Sequence, residues 1–505
     1  MPDLEPDRTG TSDAVDSDEV AASYVLRRLT ARRTVRAALA LGALRRGPAA
    51  ARATFRAPIA LEHPGPPVGA HQREPHLRVA HLSDLPITDA TAPGVRLTAE
   101  AWRTQLEIQR PDLVLLDATT SWLDATAVAA CRQLTDAPVV ATSEVAGALP
   151  RGSVDLVVDA DDPDGAGAPA VDHRADNPMG VDRRPQVRAV HDDGTREVAL
   201  SALRAAARGT VVVCAEGSAI ERTLGPVAVT APPDLLDRAA ADLAADPDAA
   251  ERASVRQRRH VLAHHTIDDR ARQLLAAAGI RLRPPPRTSV LLATRRADQV
   301  AAALAAVTAQ SVHDLEVQLL LHGIDVDATA LDAGGHRLEV HRVPAQLPLG
   351  AVLAIGLDAA TGDLIAKMDD DDLYGPGHLA DLAVALRYSG ADLVGRWANI
   401  THLGDDDVTV TPPAGREEVW AHHLPGATML GHAATFRRLR WRHVPHGVDR
   451  ELVRALHADG GRAYATHRFG FIRRRHGDHT FAKGDRAFAR EGTTTPGLDR
   501  SVLDV

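Results

Sequence analysis

The stretch GLDAATGDLIAKMDDDDLYGPGHLADL, residues 356–382, decides how the C-terminal half of the chain is read. DLIAKM (363–368) is a short, mainly apolar run of the kind that forms a buried strand, and it leads straight into Asp369-Asp370-Asp371-Asp372. Two carboxylates about 4 Å apart repel by roughly 4 kcal/mol at an effective dielectric near 20. Four in succession are therefore tolerated as a solvated acidic turn or as a holder of a hard cation such as Mg²⁺ or Mn²⁺, which prefers oxygen ligands. An EF-hand is excluded, because its loop needs Gly at the sixth position and an acid at the twelfth. Counted from Asp369, those places hold Tyr374 and Ala380.

Outward from this run the chain reads as α/β throughout. SVLLAT (289–294), LEVQLLLHG (315–323) and LEVHRV (338–343) are strands, and 297–309 and 350–360 are helices. Alternation of this kind predicts a parallel sheet, with ligands at the carboxyl ends of its strands. Upstream, LRVAHL (77–82), DLVLLD (112–117), APVVAT (137–142), VDLVVD (154–159) and TVVVCA (210–215) are further strands. Helices are expected at 98–109, 124–134, 197–207, 234–246 and 250–277, and a loop at 160–186. Pro284-Pro285-Pro286 marks a stiff break. The expected organisation is a disordered acidic tail (1–18), a basic helix and Pro/Ala-rich linker (19–75), a Rossmann-like domain (76–283) and a second α/β domain (287–505).

At 505 residues the chain is too long for one core. A net charge of -9 disfavours nucleic acid as a partner. The two cysteines, Cys131 and Cys214, lie far apart in apolar runs, which fits a reducing compartment better than a disulfide framework. No apolar run reaches the ~18 residues of a spanning helix, and the acidic N-terminus is unlike a signal peptide. The expected location is cytoplasmic. Residues 19–46 carry seven arginines among periodic apolar positions. They read as a helix packed on its own protein or as a peripheral contact with the inner face of a membrane.

The parts Gly362-Asp363, Asp369 to Asp372, and Pro376 before His378-Leu379 resemble the core of family 2 glycosyltransferases, which have the GT-A fold. The resemblance covers about 288–482. It implies a metal-dependent (Mn²⁺ or Mg²⁺), inverting enzyme that moves a sugar from a nucleoside-diphosphate donor, usually a uridine diphosphate sugar, to a hydroxyl of a glycan or lipid-linked acceptor; the abundance of Ala, Arg, Asp, Gly and Pro separately suggests a GC-rich bacterial genome. The setting the resemblance implies is cell-surface polysaccharide or glycolipid synthesis. By the same resemblance Asp369 approaches the ribose and shares the metal with Asp371, while Asp370 and Asp372 support them. SVLLATRR (289–296) resembles the opening strand, whose following loop holds the base, placing Thr294 and Arg295 at the nucleotide. His322 stands where the family has a nucleotide-contacting acid. PGATMLGHAATFRRLRW (425–441) resembles the acceptor segment, and GVDRELVRAL (447–456) resembles the segment that carries the base, implying Asp449. Asp449 also reads as an N-cap of the helix after it. In RRRHGDHT (473–480) the resemblance places Arg475 on the diphosphate and His476 in the metal shell; a basic surface loop is the plainer reading.

Residues 209–275 resemble, more weakly, the C-terminal half of spore-coat-type glycosyltransferase-like domains of GT-B architecture, on His260-Val261-Leu262, His265-Thr266 and Arg270. No G-x-G-x-x-G loop is present there, and Glu216-Gly217 reads as an ordinary turn. A reduced or inactive domain is expected. Two rival functions are a nucleotidyltransferase, disfavoured because ATRRAD (293–298) is not glycine-rich, and a non-catalytic carbohydrate-binding or scaffold protein, favoured by His322.

Overall fold

In a computed structural model, the described residues are 185–266, 285–475 except 313, 414 and 445–446, and 492–505. Within 79–158 they are five strands and one helix, with isolated residues 103, 106 and 149, and further along 269 and 273. The acidic tail, the basic helix at 19–46 and the linker lie outside them.

Strands β1 (Val79–Leu82), β2 (Gly94–Arg96), β3 (Leu113–Leu116), β4 (Val139–Thr142) and β5 (Leu156–Val158) form a parallel sheet in the order β2-β1-β3-β4-β5. Helix α1 (Ala125–Leu134) follows β3, and Val128 and Cys131 are buried with Val114 and Val139.

A separate parallel sheet of three strands comes next: β6 (Val187–Val190), β7 (Val211–Ala215) and β8 (Val229–Ala231). Around it lie α2 (Arg196–Ala207), α3 (Ala219–Leu224), α4 (Leu236–Ala244) and α5 (Pro247–His264). The described residues of region 76–283 thus form two sheets. Helix α5 starts where Asp246 accepts the Ala249 N–H, with Pro247 in the first turn, where its missing N–H costs nothing. It ends at His264, earlier than the span 250–277 expected from pattern. Buried Gln257 of α5 accepts the Val212 N–H at 2.8 Å and donates to the Val212 carbonyl at 2.9 Å, tying the helix to β7. In the turn after β7 the Gly217 N–H donates to Glu221 of α3.

The described residues of the remaining chain build two sheets. In order come β9 (Thr288–Thr294), α6 (Val300–Thr308), β10 (Leu315–His322), β11 (Arg337–Val343), α7 (Leu349–Ala359), β12 (Leu364–Asp369), β13 (Leu373–Tyr374), α8 (His378–Ser389), β14 (Leu393–Gly395), β15 (Ile400–Leu403), β16 (Val408–Thr411), β17 (Val419–Ala421), β18 (Leu430–His432), α9 (Ala433–Leu439), α10 (Val448–Ala458), β19 (Ala463–Ala465), β20 (Phe471–Arg475) and β21 (Thr493–Pro496). The large sheet runs β11-β10-β9-β12-β18-β14-β19-β17. Its first four strands are parallel, and β18 is antiparallel to both neighbours. A smaller sheet, β13-β20-β15-β16-β21, lies beside it. β9, β10 and β12 are buried along nearly all their length, and apolar residues dominate them, because both faces are covered.

Gly362 sets the close approach of the turn before β12. A Cβ there would lie 2.6 Å from Ser289 Oγ and 2.8 Å from the Arg287 carbonyl. One continuous core runs from Ile220, Leu224, Val261 and Leu262 into Leu382 and Leu386 of α8. Helix α5 is therefore packed into the C-terminal unit. Around that seam Arg259 grips Asp381 in a fork (2.5 and 2.9 Å), Arg258 meets Glu418 at 2.8 Å, and Arg468 bridges Glu251 and Glu417. No helix among the described residues is long and apolar enough to cross a membrane.

Candidate active site

The acidic run sits at the carboxyl end of β12, in the middle of the large sheet. Lys367, two residues earlier, is only 4% exposed. Its ammonium donates to Asp369 Oδ1 at 2.6 Å and lies 3.8 Å from Asp449 Oδ2. Burial alone would favour losing the proton, but Asp369 and Asp449 outweigh it and hold the ammonium above the ordinary lysine range. Asp369 and Asp449, 80 positions apart in sequence, thus share one buried cation.

Asp370 and Asp371 have a different counter-charge. The Arg296 Nη2 donates to Asp370 Oδ1 at 2.5 Å and lies 2.8 Å from Asp371 Oδ2, while Nε donates to Asp370 Oδ2 at 3.1 Å. Thr294 Oγ also donates to Asp370 Oδ2, at 2.5 Å. Asp372 points into the protein. Its Oδ1 accepts the Arg474 N–H at 2.9 Å. Burial and the nearby Asp369 push its carboxyl up to about 8, against the pull of Arg473. Behind the run, the Tyr374 hydroxyl accepts the Asp369 N–H (2.8 Å) and donates to the Ala427 carbonyl (3.1 Å). It joins the acidic run to the segment 425–441.

Asp449 lies in the first turn of α10. It does not cap the helix: the N-cap is Gly447, in the left-handed conformation at φ 73°. Asp449 faces Gly426, where a Cβ would lie 1.9 Å from Oδ2, so only glycine leaves room for the carboxylate. Burial raises its pKa, Lys367 opposes, and Asp369 adds to the rise. Its buried Oδ1 has no hydrogen-bond partner.

At the end of β10, His322 is buried and accepts from Arg295 Nε at 3.1 Å, while Arg295 Nη2 donates to the Ala345 carbonyl at 2.7 Å. Burial and then Arg295 lower the His322 pKa, so the ring is neutral at pH 7. Thr294, Arg295, His322 and Asp369 to Asp371 therefore gather along the carboxyl ends of β9, β10 and β12, and α10 brings Asp449 to them. Arg475 departs from expectation. It is a buried residue of β20, paired in register with Leu403, so 473–475 is strand and not loop. The residues of that strand that act on the run are Arg473, through its charge, and Arg474, through its N–H. His476 lies outside the described residues. Lys367, Arg296 and Tyr374 were not anticipated. A lone lysine inside an otherwise apolar strand was the available signal for the first, since buried ammonium groups need a partner.

Residues 190–276 match the sequence model of the glycosyl transferase-like family. The match spans well under half of the chain and stops short of the acidic run. No curated protein sequence matches the chain. Among solved structures, S. aureus TarS 1-349 in complex with UDP-GlcNAc is 14% identical at a TM-score of 0.31, over 39% of this chain and 61% of that one. The mannosyltransferase PcManGT from Pyrobaculum calidifontis, in complex with GDP-Man and Mn²⁺, is 18% identical at 0.31, over 41% and 59%. The chain covers less than two thirds of either structure, and likeness at this level does not assign an activity. The family match gives the coarser conclusion: this α/β chain carries a glycosyltransferase-like domain.

Proposed function

We propose that the C-terminal unit is a GT-A-type, family 2-like inverting glycosyltransferase that moves a sugar from a nucleoside-diphosphate donor, a uridine diphosphate sugar in the first instance, to an acceptor hydroxyl. The observation that carries this reading is the meeting of Asp449 with the acidic run through Lys367. A base and a diphosphate-binding end must lie on one site, and nothing in the spacing of 369 and 449 requires it. The strand order, with antiparallel β18 set into an otherwise parallel half-sheet, supports the reading.

Asp449 removes the proton of the acceptor hydroxyl as that oxygen attacks the anomeric carbon opposite the leaving diphosphate. Its raised pKa makes it a better acceptor of that proton, and Lys367 keeps it ionised and aimed. Gly426 leaves space for the carboxylate beside the acceptor segment. Arg295 and Arg296 face the side where a nucleotide would enter, and guanidinium forks suit phosphate oxygens.

The chemistry of the donor set fits a divalent ion. Asp369 and Asp371 offer oxygen only, as Mg²⁺ and Mn²⁺ require. Among the described residues no three His, Cys, Asp or Glu side chains converge on one point. Such ions usually take one or two carboxylates and complete their shell from phosphates and water. Neutralising the departing diphosphate is what the ion supplies. A cell-surface acceptor, glycan or lipid-linked, rests on family analogy alone. The neutral His322 in place of an acid favours a second reading, a carbohydrate-binding scaffold. Calorimetry separates the two: the transferase binds UDP or GDP in a Mn²⁺-dependent manner, whereas a scaffold binds sugar and no nucleotide.

A further inference from the structure

We propose that Arg296 is an exchangeable counter-cation: it bridges Asp370 and Asp371 in the ion-free chain and turns to the donor diphosphate once a divalent ion takes Asp371. This rests on the transferase reading above. One nitrogen, Nη2, lies within 2.8 Å of an oxygen of each carboxylate, the bridging position of a shared cation. Asp370 is also held by Thr294 Oγ, so it stays anchored when Arg296 turns. The Arg296 side chain is 35% exposed, against 7% for Asp370 and 15% for Asp371, so it forms the outer wall of the pair and can meet a ligand arriving from solvent. Its backbone is fixed, because the Arg296 N–H donates to Thr294 Oγ at 3.0 Å. Lys367 cannot do this work, since it is buried behind Asp369 and committed to Asp369 and Asp449. A planar fork, moreover, matches two phosphate oxygens as well as it matches carboxylates.

A competitor for Asp371 that is also a diphosphate ligand has an opposed signature. In the full-length chain, Arg296→Gln should tighten Mn²⁺ binding without nucleotide by about fivefold, because the competing ion pair is gone. The same change should weaken UDP binding at saturating Mn²⁺ by about tenfold. Arg296→Lys keeps the charge without the fork; it should shift both affinities in those directions by smaller factors, and it serves if the glutamine variant does not fold. Asp371→Asn should remove the Mn²⁺ site and identifies it. Mn²⁺ affinity that stays level or falls in Arg296→Gln overturns the exchange, and so does unchanged UDP affinity. A wild-type chain that binds neither UDP nor GDP with Mn²⁺ fails the transferase reading instead, and the Mn²⁺ comparison alone still decides whether Arg296 competes for Asp371.

Discussion

Asp372, half-buried, and Asp381, buried, lie nine positions apart, and their surroundings push them in opposite directions. Asp381, at the seam between α5 and α8, is only 4% exposed. Burial alone would raise its pKa, but His467, Arg259 and Arg396 overcome that and hold it well below the usual carboxylate range. Asp372 has Asp369 and Asp371 for neighbours and is pushed up to about 8. The seam sets Arg259 and Arg396 against Asp381, while the acidic run holds four successive carboxylates with Lys367 and Arg296 as counter-charges. Repulsion that leaves one carboxyl raised is costly to a fold and useful to a site that must receive a cation or hold a base. The comparison therefore sets a structural electrostatic network against the one to which the proposed function assigns the chemistry.

The largest expected effect lies on the chemical side. Asp449→Asn keeps the shape and removes the proposed base, so sugar transfer should fall by about 10²–10⁴-fold. The melting temperature should hardly move. Loss of folding in place of activity would make Asp449 a structural residue and erase the contrast.

On the structural side, Asp381→Ala leaves Arg396, which is 0% exposed, without its carboxylate. Breaking a buried pair in this way costs about 3–5 kcal/mol, readable as a lower midpoint in urea unfolding. Nucleotide affinity, measured where the variant is still folded, should be close to wild type.

A smaller effect sharpens the same side through pH. Burial alone would raise the pKa of Glu418, but Arg258 and further hydrogen bonds pull it from 4.5 to about 2. A depressed folded pKa gives stability that is present above the unfolded value and is lost as pH falls toward the folded one. Stability should therefore decline between about pH 4.5 and 2, by roughly 2–3 kcal/mol from this group. Glu418→Gln should be less stable than wild type at pH 7 and should flatten that part of the profile in denaturant melts.

Much of the central architecture could be read from the chain because β9, β10 and β12 are mainly apolar short runs, and such a run between turn signals has few alternatives to a buried strand. The place of the acidic run followed from being last in such a strand. The smaller sheet was not visible: β13 is two residues long, and β16 and β21 are threonine-rich pieces whose pairing is set by partners far away in sequence. β6, four residues with a single buried position, was missed for the same reason. In the site, residue types were legible and pairings were not. His322 could be seen to replace an acid, yet its engagement by Arg295 depends on how β9 lies beside β10. Arg296 and Lys367 were invisible as partners because which carboxylate a cation meets is a matter of tertiary geometry. The seam is the extreme case: Arg259 reaches Asp381 across 122 positions.

The central claim is that the acidic run at the end of β12 performs sugar transfer. The most direct measurement is hydrolysis and transfer of a uridine diphosphate sugar by the wild-type chain and by Asp371→Ala, with unfolding followed in parallel. The account predicts that the variant loses both reactions and keeps its unfolding midpoint. Turnover in Asp371→Ala equal to wild type would contradict it.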